Sequence, residues 1–217
     1  MRLDLPKIYP ITDTQLSGLS HAEQVARLIE GGASLIQLRD KISPSGEFYR
    51  EAAAALKVAR DHGARLIIND RVDIALALKA DGVHLGQTDV PVAAARDLLG
   101  KEAIIGFSTH NAEQAKLAIT SPVDYLAFGP IFPTSSKNNP DPITGLAAME
   151  EIVAIKGSLP LVAIGGIKRE NVLEVLKAGA DAVAVIAELL ADPAEISENT
   201  RKILALASLP PNVVGRV

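Results

Sequence analysis

The sequence contains no cysteine, so disulfide bonds and thiolate metal sites are excluded. Aromatic residues make up only 3% of a chain that is 48% hydrophobic, so the core must consist mainly of Ala, Val, Ile and Leu. No apolar run approaches the roughly 20 residues that cross a bilayer. The N-terminus lacks the charged and apolar regions of a signal peptide. We therefore expect a cytoplasmic protein that has no membrane partner.

The charge and the length narrow the class of protein further. A formal net charge of −4 argues against a broad nucleic-acid-binding surface, although it is compatible with a local anion site. A chain of 217 residues fits one domain with a sizeable core. An aliphatic core suits a parallel sheet that is covered by helices. We predict an α/β protein and expect residues 1–217 to form a single domain.

Short β-branched runs alternate with helical patterns, which indicates βαβ units and a parallel sheet. The predicted strands are 7–13, 34–41, 65–70, 82–87, 103–109, 125–132, 160–167 and 182–187. The predicted helices are 21–30, 46–61, 72–78, 92–99, 112–119, 144–156, 171–177 and 194–206. Eight such units close a (β/α)8 TIM barrel. An open doubly wound sheet would need a glycine-rich fingerprint after the first strand, where none occurs.

The second predicted strand ends in a row of polar side chains. Gln37, Arg39 and Lys41 share one face of the strand because side chains alternate. Two cations on the inner face of a barrel are costly unless negative charge lies opposite them. Two interpretations remain open: salt bridges to nearby carboxylates, or a clamp that binds a diphosphate through the Arg39 fork and the Lys41 charge.

Two carboxylates follow the next pair of strands. Asp70 ends the third strand and Asp89 follows the fourth. Neighbouring strands lie about 4.8 Å apart, so both carboxylates can approach one ion. Mg²⁺ is commonly held by one or two carboxylates together with substrate phosphates. Either residue alone is better explained as a helix cap than as a metal ligand, but together they predict one Mg²⁺ per subunit.

The later strands end in hydroxyl-rich or glycine-rich segments. No G-x-S-x-G elbow surrounds Ser108, so we interpret it as a hydrogen-bond donor to phosphate rather than a nucleophile. His110 is a neighbour of a helix cap or a catalytic group, and His84 is expected to be a packed core histidine. The segment 134–137 is an anion loop or an ordinary turn. Gly165-Gly166 lies after strand seven, where barrels frequently bind phosphate.

Six segments in order resemble the thiamine phosphate synthase family over nearly the whole chain: QLRDK at 37–41, IND at 68–70, ADGVHLGQTD at 80–89, GFSTH at 106–110, FGPIFPTSSK at 128–137 and AIGGI at 163–167. The resemblance implies a barrel transferase that joins a hydroxymethylpyrimidine diphosphate to a thiazole phosphate. The implied products are thiamine monophosphate and diphosphate. It allows for a homo-oligomer and implies no nucleic-acid partner.

The resemblance also assigns residues to each half of the site. It implies that the pyrimidine diphosphate is bound by Gln37, Leu38, Arg39, Asp40, Lys41, Asn69, Ser108 and Lys137. The thiazole phosphate would be bound by Thr134, Ser135, Ser136, Gly166, Ile186 and Ala187, and Mg²⁺ by Asp70 and Asp89. The catalytic residues would be Arg39, Lys41, Ser108 and Lys137. The family usually has threonine at Ser136 and serine at Ala187, so the thiazole half departs from the pattern.

Three other functions fit parts of the sequence. A thiazole tautomerase would need the phosphate end and an acid–base residue such as His110, but neither a diphosphate clamp nor paired carboxylates. A non-catalytic phosphate-binding regulator would lack Arg39, Lys41 or one of the aspartates, all of which are present. A phosphate-sugar isomerase remains open because barrels host many chemistries.

Overall fold

A computed structural model of the protein describes residues 5–134 and 141–209. At its centre is one sheet of eight parallel strands in the order β1-β8-β7-β6-β5-β4-β3-β2. The strands are β1 Ile8–Pro10, β2 Leu35–Leu38, β3 Arg65–Asn69, β4 Gly82–Leu85, β5 Ile104–Thr109, β6 Tyr125–Phe128, β7 Leu161–Ile164 and β8 Ala182–Val185. A parallel bridge between Ile11 and Gln37 joins the two ends of this order. The predicted (β/α)8 barrel is confirmed.

The helices follow the strands and cover the outside of the barrel. They are α1 Thr14–Ser17, α2 His21–Glu30, α3 Ser45–Asp61, α4 Val72–Leu78, α5 Val92–Leu99, α6 Ala112–Ile119, α7 Gly145–Ile155, α8 Val172–Lys177, α9 Ala187–Leu190 and α10 Ile196–Ala207, with a 3-10 helix at Pro193–Glu195. Ser20 and Glu23 form a capping box that begins α2. Among residues 5–134 and 141–209, no helix combines the length and hydropathy needed to cross a bilayer.

Several strands end earlier than the sequence predicts. The second was predicted to reach residue 41, but β2 ends at Leu38, so Arg39 and Lys41 lie in the following loop. The sixth was predicted to reach residue 132, but β6 ends at Phe128. The next peptide, Gly129–Pro130, is cis, and Pro130 has no N–H to extend the ladder. The short helices α1 and α9 are absent from the prediction, because four residues are too few to show a helical period.

The core has two layers, one inside the barrel and one between the strands and the helices. The inner layer consists of Tyr9, Ile11, Leu35, Ile67, Ile104, Tyr125, Ala127, Val162, Ala182 and Ala184. As expected, most residues in both layers are aliphatic. However, two of the three tyrosines, Tyr9 and Tyr125, are fully buried in the inner layer. Their rings meet edge to face with centroids 5.9 Å apart, so the barrel interior has an aromatic and polar centre.

Three aspartates brace the N-terminal edge of the sheet in the same way. Asp81, Asp124 and Asp181 each stand immediately before an even-numbered strand. Their carboxylates accept hydrogen bonds from the backbone N–H groups of Leu66 at 2.8 Å, Ile105 at 2.7 Å and Leu161 at 2.9 Å on the preceding strand. Each contact ties two neighbouring strands together at the end of the barrel opposite the site described next.

Candidate active site

A cavity of about 640 Å³ opens at the C-terminal ends of the strands. This volume suits a small-molecule site, and this face of a barrel normally carries the active site. The apolar part of the lining comes from Ile11, Ala127, Val162, Ile164 and Ala184. The rest of the lining is mostly polar, so the cavity can bind a ligand that has both ring and charged groups.

Most of the predicted site residues meet in this cavity. Its lining includes Gln37, Arg39, Lys41, Asn69, Asp70, Asp89, Ser108, Thr134, Gly166, Ile186 and Ala187. Leu38 and Asp40, which were also predicted to bind the pyrimidine diphosphate, are not among the lining residues. Strand alternation turns Leu38 outward, and contacts in the loop after β2 hold Asp40. Leu38 is fully buried in the outer core, and Asp40 faces His21. Ser135, Ser136 and Lys137 lie outside the described residues.

Buried polar contacts hold the loop after β2 beneath the cavity. The Thr12 hydroxyl lies 2.8 Å from His21 Nδ1 and accepts the Arg39 backbone N–H at 3.3 Å. His21 Nε2 lies 3.6 Å from an Asp40 carboxylate oxygen. Burial alone would raise the pKa of Asp40, but hydrogen bonds from Ser43 lower it, so Asp40 is ionised. Asp40 and Thr12 therefore fix the backbone from which Arg39 projects.

The two cations predicted on the second strand, Arg39 and Lys41, are each paired with a carboxylate. An Arg39 guanidinium nitrogen lies 3.5 Å from Asp13 Oδ2, and both side chains are mostly buried. The Lys41 ammonium donates to Asp70, with the lysine side chain about half exposed. Both interpretations of this row are thus compatible with the geometry, because an anionic ligand can compete with Asp13 and Asp70 for the same cations.

Asp70 and Asp89 face each other across the ends of β3 and β4. Asp89 Oδ2 accepts the Gly86 backbone N–H at 2.6 Å, and its carboxyl lies within hydrogen-bonding reach of Asp70. Partial burial, and then the neighbouring Asp70 carboxylate, raise the pKa of Asp89. Neither side chain caps a helix, because α4 and α5 begin without a side-chain cap hydrogen bond. The capping interpretation is therefore wrong for both residues.

This carboxylate pair fits a hard divalent cation. Two facing carboxylates repel each other unless one is protonated or a cation lies between them. No cluster of three or more His, Asp or Glu side chains suited to a metal occurs in the described part of the chain. Two carboxylates with substrate phosphates are nevertheless a common ligand set for Mg²⁺. The donor set thus matches a metal that arrives with a phosphorylated ligand.

His84 and Ser108 form a buried polar contact at the base of the cavity. His84 Nε2 lies 2.8 Å from Ser108 Oγ, and Nδ1 lies 2.9 Å from the Tyr125 hydroxyl. Burial lowers the pKa of His84 to about 4, so the ring is neutral at physiological pH. The prediction of a packed, satisfied histidine is confirmed, although His84 also lines the cavity and contacts a predicted site residue.

Asn69, which also lines the cavity, has a buried amide donor. It is 6% exposed, and its Nδ2 atom has no hydrogen-bond partner among the described residues. A buried polar group left without a partner costs about 1–3 kcal/mol. Because Asn69 lines the cavity, a ligand acceptor there would satisfy it.

The opposite side of the cavity lies at the ends of β7 and β8. Gly165 and Gly166 adopt positive φ angles of 101° and 63°, and a Cβ on Gly166 would overlap Phe132 and Pro133. Glycine is therefore required where the loop after β7 passes close to the loop after β6. Ile186 and Ala187 line this side at the start of α9.

Several lining residues are absent from the prediction, including Tyr9, Gln87, Thr88, Lys168 and Glu188. Tyr9 lies on the inward face of β1, a position that its alternation with Ile8 and Pro10 would have indicated. The His110 Nδ1–H donates to the Gly129 carbonyl at 2.7 Å, and His110 Nε2 lies 3.7 Å from Asp141. It therefore connects the loops after β5 and β6.

Comparison with known sequences points to one family. A family model described as thiamine monophosphate synthase matches residues 8–189. A thiamine-phosphate synthase of Koribacter versatilis is 44% identical over 209 residues, covering 93% of this chain and 97% of the relative. One from Methanoregula boonei is 46% identical over 194 residues, covering 89% and 88%.

Solved structures agree with the sequence comparison. The thiamine phosphate pyrophosphorylase of Pyrococcus furiosus superposes with a TM-score of 0.82 at 37% identity, covering 94% of this chain and 98% of that one. Tryptophan synthase from Mycobacterium tuberculosis reaches a TM-score of 0.69 at 14% identity, which is a likeness of fold alone. The family model covers most of the chain, and the relatives match it at 44% and 46% identity over most of their length. The chain therefore belongs to the thiamine monophosphate synthase family.

Proposed function

We propose that the cavity condenses a hydroxymethylpyrimidine diphosphate with a thiazole phosphate, giving thiamine monophosphate and inorganic diphosphate. The observation that carries this proposal is the meeting of two unlike charge clusters in one cavity. Arg39 and Lys41 follow β2, and the facing carboxylates Asp70 and Asp89 follow β3 and β4. A diphosphate with a bound divalent cation is complementary to both clusters at once.

The pyrimidine ring would lie over the end of β3, where the unpaired Asn69 amide accounts for one ring contact and Gln37 for another. Arg39 and Lys41 would bind the diphosphate in place of Asp13 and Asp70. Ser108 would donate a hydrogen bond beside them. Lys137, which the resemblance assigns to this half, adds a further cation. These residues orient the leaving group and hold positive charge where negative charge develops.

Mg²⁺, held by Asp70 and Asp89, supplies additional neutralisation of the diphosphate charge when it is bound. One ion per subunit suits the Asp70–Asp89 pair. Lys41, which donates to one Asp70 oxygen, lies beside the proposed ion site and would contribute its positive charge to the diphosphate from there.

The chemical step needs no protein nucleophile. The bond between the pyrimidine methylene carbon and the diphosphate oxygen breaks, and the diphosphate leaves with the bonding electrons. The electron-rich aminopyrimidine stabilises the resulting methylene cation. The lone pair of the thiazole nitrogen then forms the new carbon–nitrogen bond. The contribution of the protein is to align the two substrates and to exclude water from the cation.

The thiazole phosphate would lie at the ends of β6 to β8. Thr134, Ser135 and Ser136 would provide hydroxyl donors, and the backbone at Gly166, Ile186 and Ala187 would provide N–H donors. The presence of Gly166, Ile186 and Ala187 in the lining of this end of the cavity supports the assignment. Lys168 also lines this end and supplies a cation.

The test is an assay of the purified chain with both substrates, with and without Mg²⁺, reading thiamine monophosphate after its oxidation to a fluorescent thiochrome. We expect product only when both substrates and the metal are present. Product formed equally well without metal would contradict the metal assignment. Absence of product, with thiazole phosphate binding still detected by calorimetry, would favour the tautomerase or the regulator.

We also propose a cellular location, a domain organisation and an oligomeric state for the enzyme. We place the enzyme in the cytoplasm, treat residues 1–217 as one domain, and allow for a homo-oligomer. Light scattering coupled to size-exclusion chromatography measures the oligomeric state, and limited proteolysis tests the single domain. A stable fragment much shorter than the barrel would contradict the domain assignment.

A further inference from the structure

Five side chains from five strands form one continuous line of polar contacts through the barrel. Gln37 Nε2 donates to the Tyr9 hydroxyl at 3.2 Å, and the Tyr9 and Tyr125 hydroxyl oxygens are 3.0 Å apart. The Tyr125 hydroxyl lies 2.9 Å from His84 Nδ1, and His84 Nε2 lies 2.8 Å from Ser108 Oγ. The line begins on β2 and ends at a hydroxyl that lines the cavity.

The chemistry of these groups gives the line a direction. The Gln37 amide nitrogen can only donate, so the Tyr9 oxygen accepts from it. Tyr9 then donates to the Tyr125 oxygen, because accepting from Tyr125 as well would leave the buried Tyr9 proton without a partner along the line. Tyr125 must then donate its own proton to His84 Nδ1. A neutral imidazole has one donor and one acceptor, so its proton is on Nε2 and points to Ser108. The Ser108 hydroxyl proton is left to donate into the cavity.

We propose that Tyr9, Tyr125 and His84 are positioning residues that orient Ser108 as a donor to the bound diphosphate substrate. They touch no reacting atom and act only through the Ser108 hydroxyl. The substrate part of this inference rests on the proposed function, whereas the direction of the line is a property of the free protein. A Ser108 hydroxyl that donates into the cavity suits the expected ligand, because phosphate oxygens of an anionic ligand only accept hydrogen bonds.

The packing around these five side chains holds them in fixed positions. Gln37, Tyr9, Tyr125 and His84 are each at most 7% exposed, so water cannot easily replace any of their contacts. The His84 and Tyr125 rings are stacked with centroids 5.5 Å apart. A Cβ on Gly106 would overlap the Tyr125 ring and lie 2.5 Å from His84 Nδ1. Glycine at this point of β5 therefore leaves the space in which Tyr125 meets His84.

The reverse direction is the one competing arrangement in which each contact carries one proton and both tyrosine protons have a partner. If the Gln37 amide were turned over, its oxygen would accept from Tyr9, and every later hydrogen bond would reverse. His84 would then carry its proton on Nδ1, and Ser108 would donate inwards and offer only an acceptor to the cavity. The two directions therefore differ in one observable quantity, the tautomer of a single histidine.

The first experiment is nitrogen-15 NMR of the ring nitrogens of His84 in the full-length protein at neutral pH, assigned by triple-resonance spectra. We expect a protonated Nε2 and an unprotonated Nδ1 without any ligand. The opposite tautomer would overturn the inference, whatever the enzymatic activity proves to be. Because this measurement uses no substrate, it stands even if the proposed reaction fails.

The second experiment tests whether the line acts through Ser108. We expect Tyr125→Phe to release His84 into a mixture of tautomers and to lower kcat about 5- to 10-fold, the equivalent of one hydrogen bond. In a Ser108→Ala background the same change should have no further effect on kcat. Equal losses in both backgrounds would show a structural role and overturn the inference. Tyr49→Phe is the matched control, since Tyr49 is 41% exposed on α3, and it should leave both readouts unchanged.

Discussion

Asp89 faces Asp70 at the mouth of the barrel, and this proximity raises the pKa of Asp89 beyond the effect of burial. One helix and one strand, α4 and β4, separate the two residues in sequence. Lys41 forms an ion pair with Asp70, and its charge opposes the rise in the Asp89 pKa without cancelling it. Asp89 is therefore the best single probe of the metal assignment.

Asp89→Asn should lower the Mg²⁺-dependent rate about 10²-fold, because it removes one anionic ligand. The fold should not weaken. Asparagine keeps an acceptor for the Gly86 N–H, and the raised pKa means that ionised Asp89 destabilises the free protein at neutral pH. Rate measurements over a Mg²⁺ titration, together with thermal melting, test both points. Asp73→Asn is the control, since Asp73 pairs with Arg71 and does not line the cavity; an unchanged rate in Asp89→Asn would contradict the assignment.

Ala187→Ser should tighten binding of the thiazole phosphate. Ala187 lines the cavity beside Ile186, and serine would add a donor at a position where the family usually has one. A hydrogen bond of about 0.5–1.5 kcal/mol corresponds to a KM roughly 2- to 10-fold lower for this substrate. The KM for the pyrimidine diphosphate should not change, because its proposed residues lie on other strands. A change confined to the pyrimidine KM would show that position 187 belongs to the other half of the site.

Gly106→Ala should destabilise the protein by about 1–3 kcal/mol through overpacking against Tyr125 and His84. It should also broaden or shift the His84 ring signals. Gly46→Ala is the matched control, because a Cβ there meets nothing closer than Arg50 at 3.9 Å. In that helical position alanine should stabilise by about 0.5–1 kcal/mol. Urea unfolding of both variants provides the comparison, and equal stability of the two would contradict the proposed crowding in β5.

Asp181→Asn should reduce the free energy of unfolding by about 1 kcal/mol at neutral pH, a value discounted for the partly exposed carboxylate. Burial alone would raise the pKa of Asp181, but the Lys156 ammonium and the Leu161 N–H lower it overall. An acid with a lowered folded pKa stabilises above its unfolded pKa of about 3.9. This stabilisation disappears as the pH falls through the lower folded pKa.

The difference between wild type and Asp181→Asn should therefore be constant above about pH 5 and shrink in more acidic solution. Chemical unfolding at several pH values measures it. Asp61→Asn removes an exposed i,i+4 pair with Lys57 and should have a smaller effect. A difference that grows on acidification would contradict the role assigned to Asp181.

The position of the site could be predicted because parallel strands deliver their C-terminal ends to one face. Residues at or just beyond the C-terminal ends of different strands, such as Gln37, Asn69, Asp89 and Ser108, were expected to converge and do line one cavity. Leu38 and Asp40 were predicted as binding residues because they lie between Gln37, Arg39 and Lys41 in the sequence motif, but neither lines the cavity. The Leu38 side chain packs in the outer core, and the Asp40 carboxylate faces His21.

The amino-acid pattern alone was sufficient to predict eight βαβ units, the barrel and the family, because periodicity and motif order are local properties of a chain. Tertiary structure alone decided the contacts between residues far apart in sequence. Tyr9 and Tyr125 meet across the barrel although 116 positions separate them. The register that sets His84 opposite Gly106 provides the space for Tyr125 to reach the histidine. Such contacts depend on strand register and barrel closure, which no local pattern specifies.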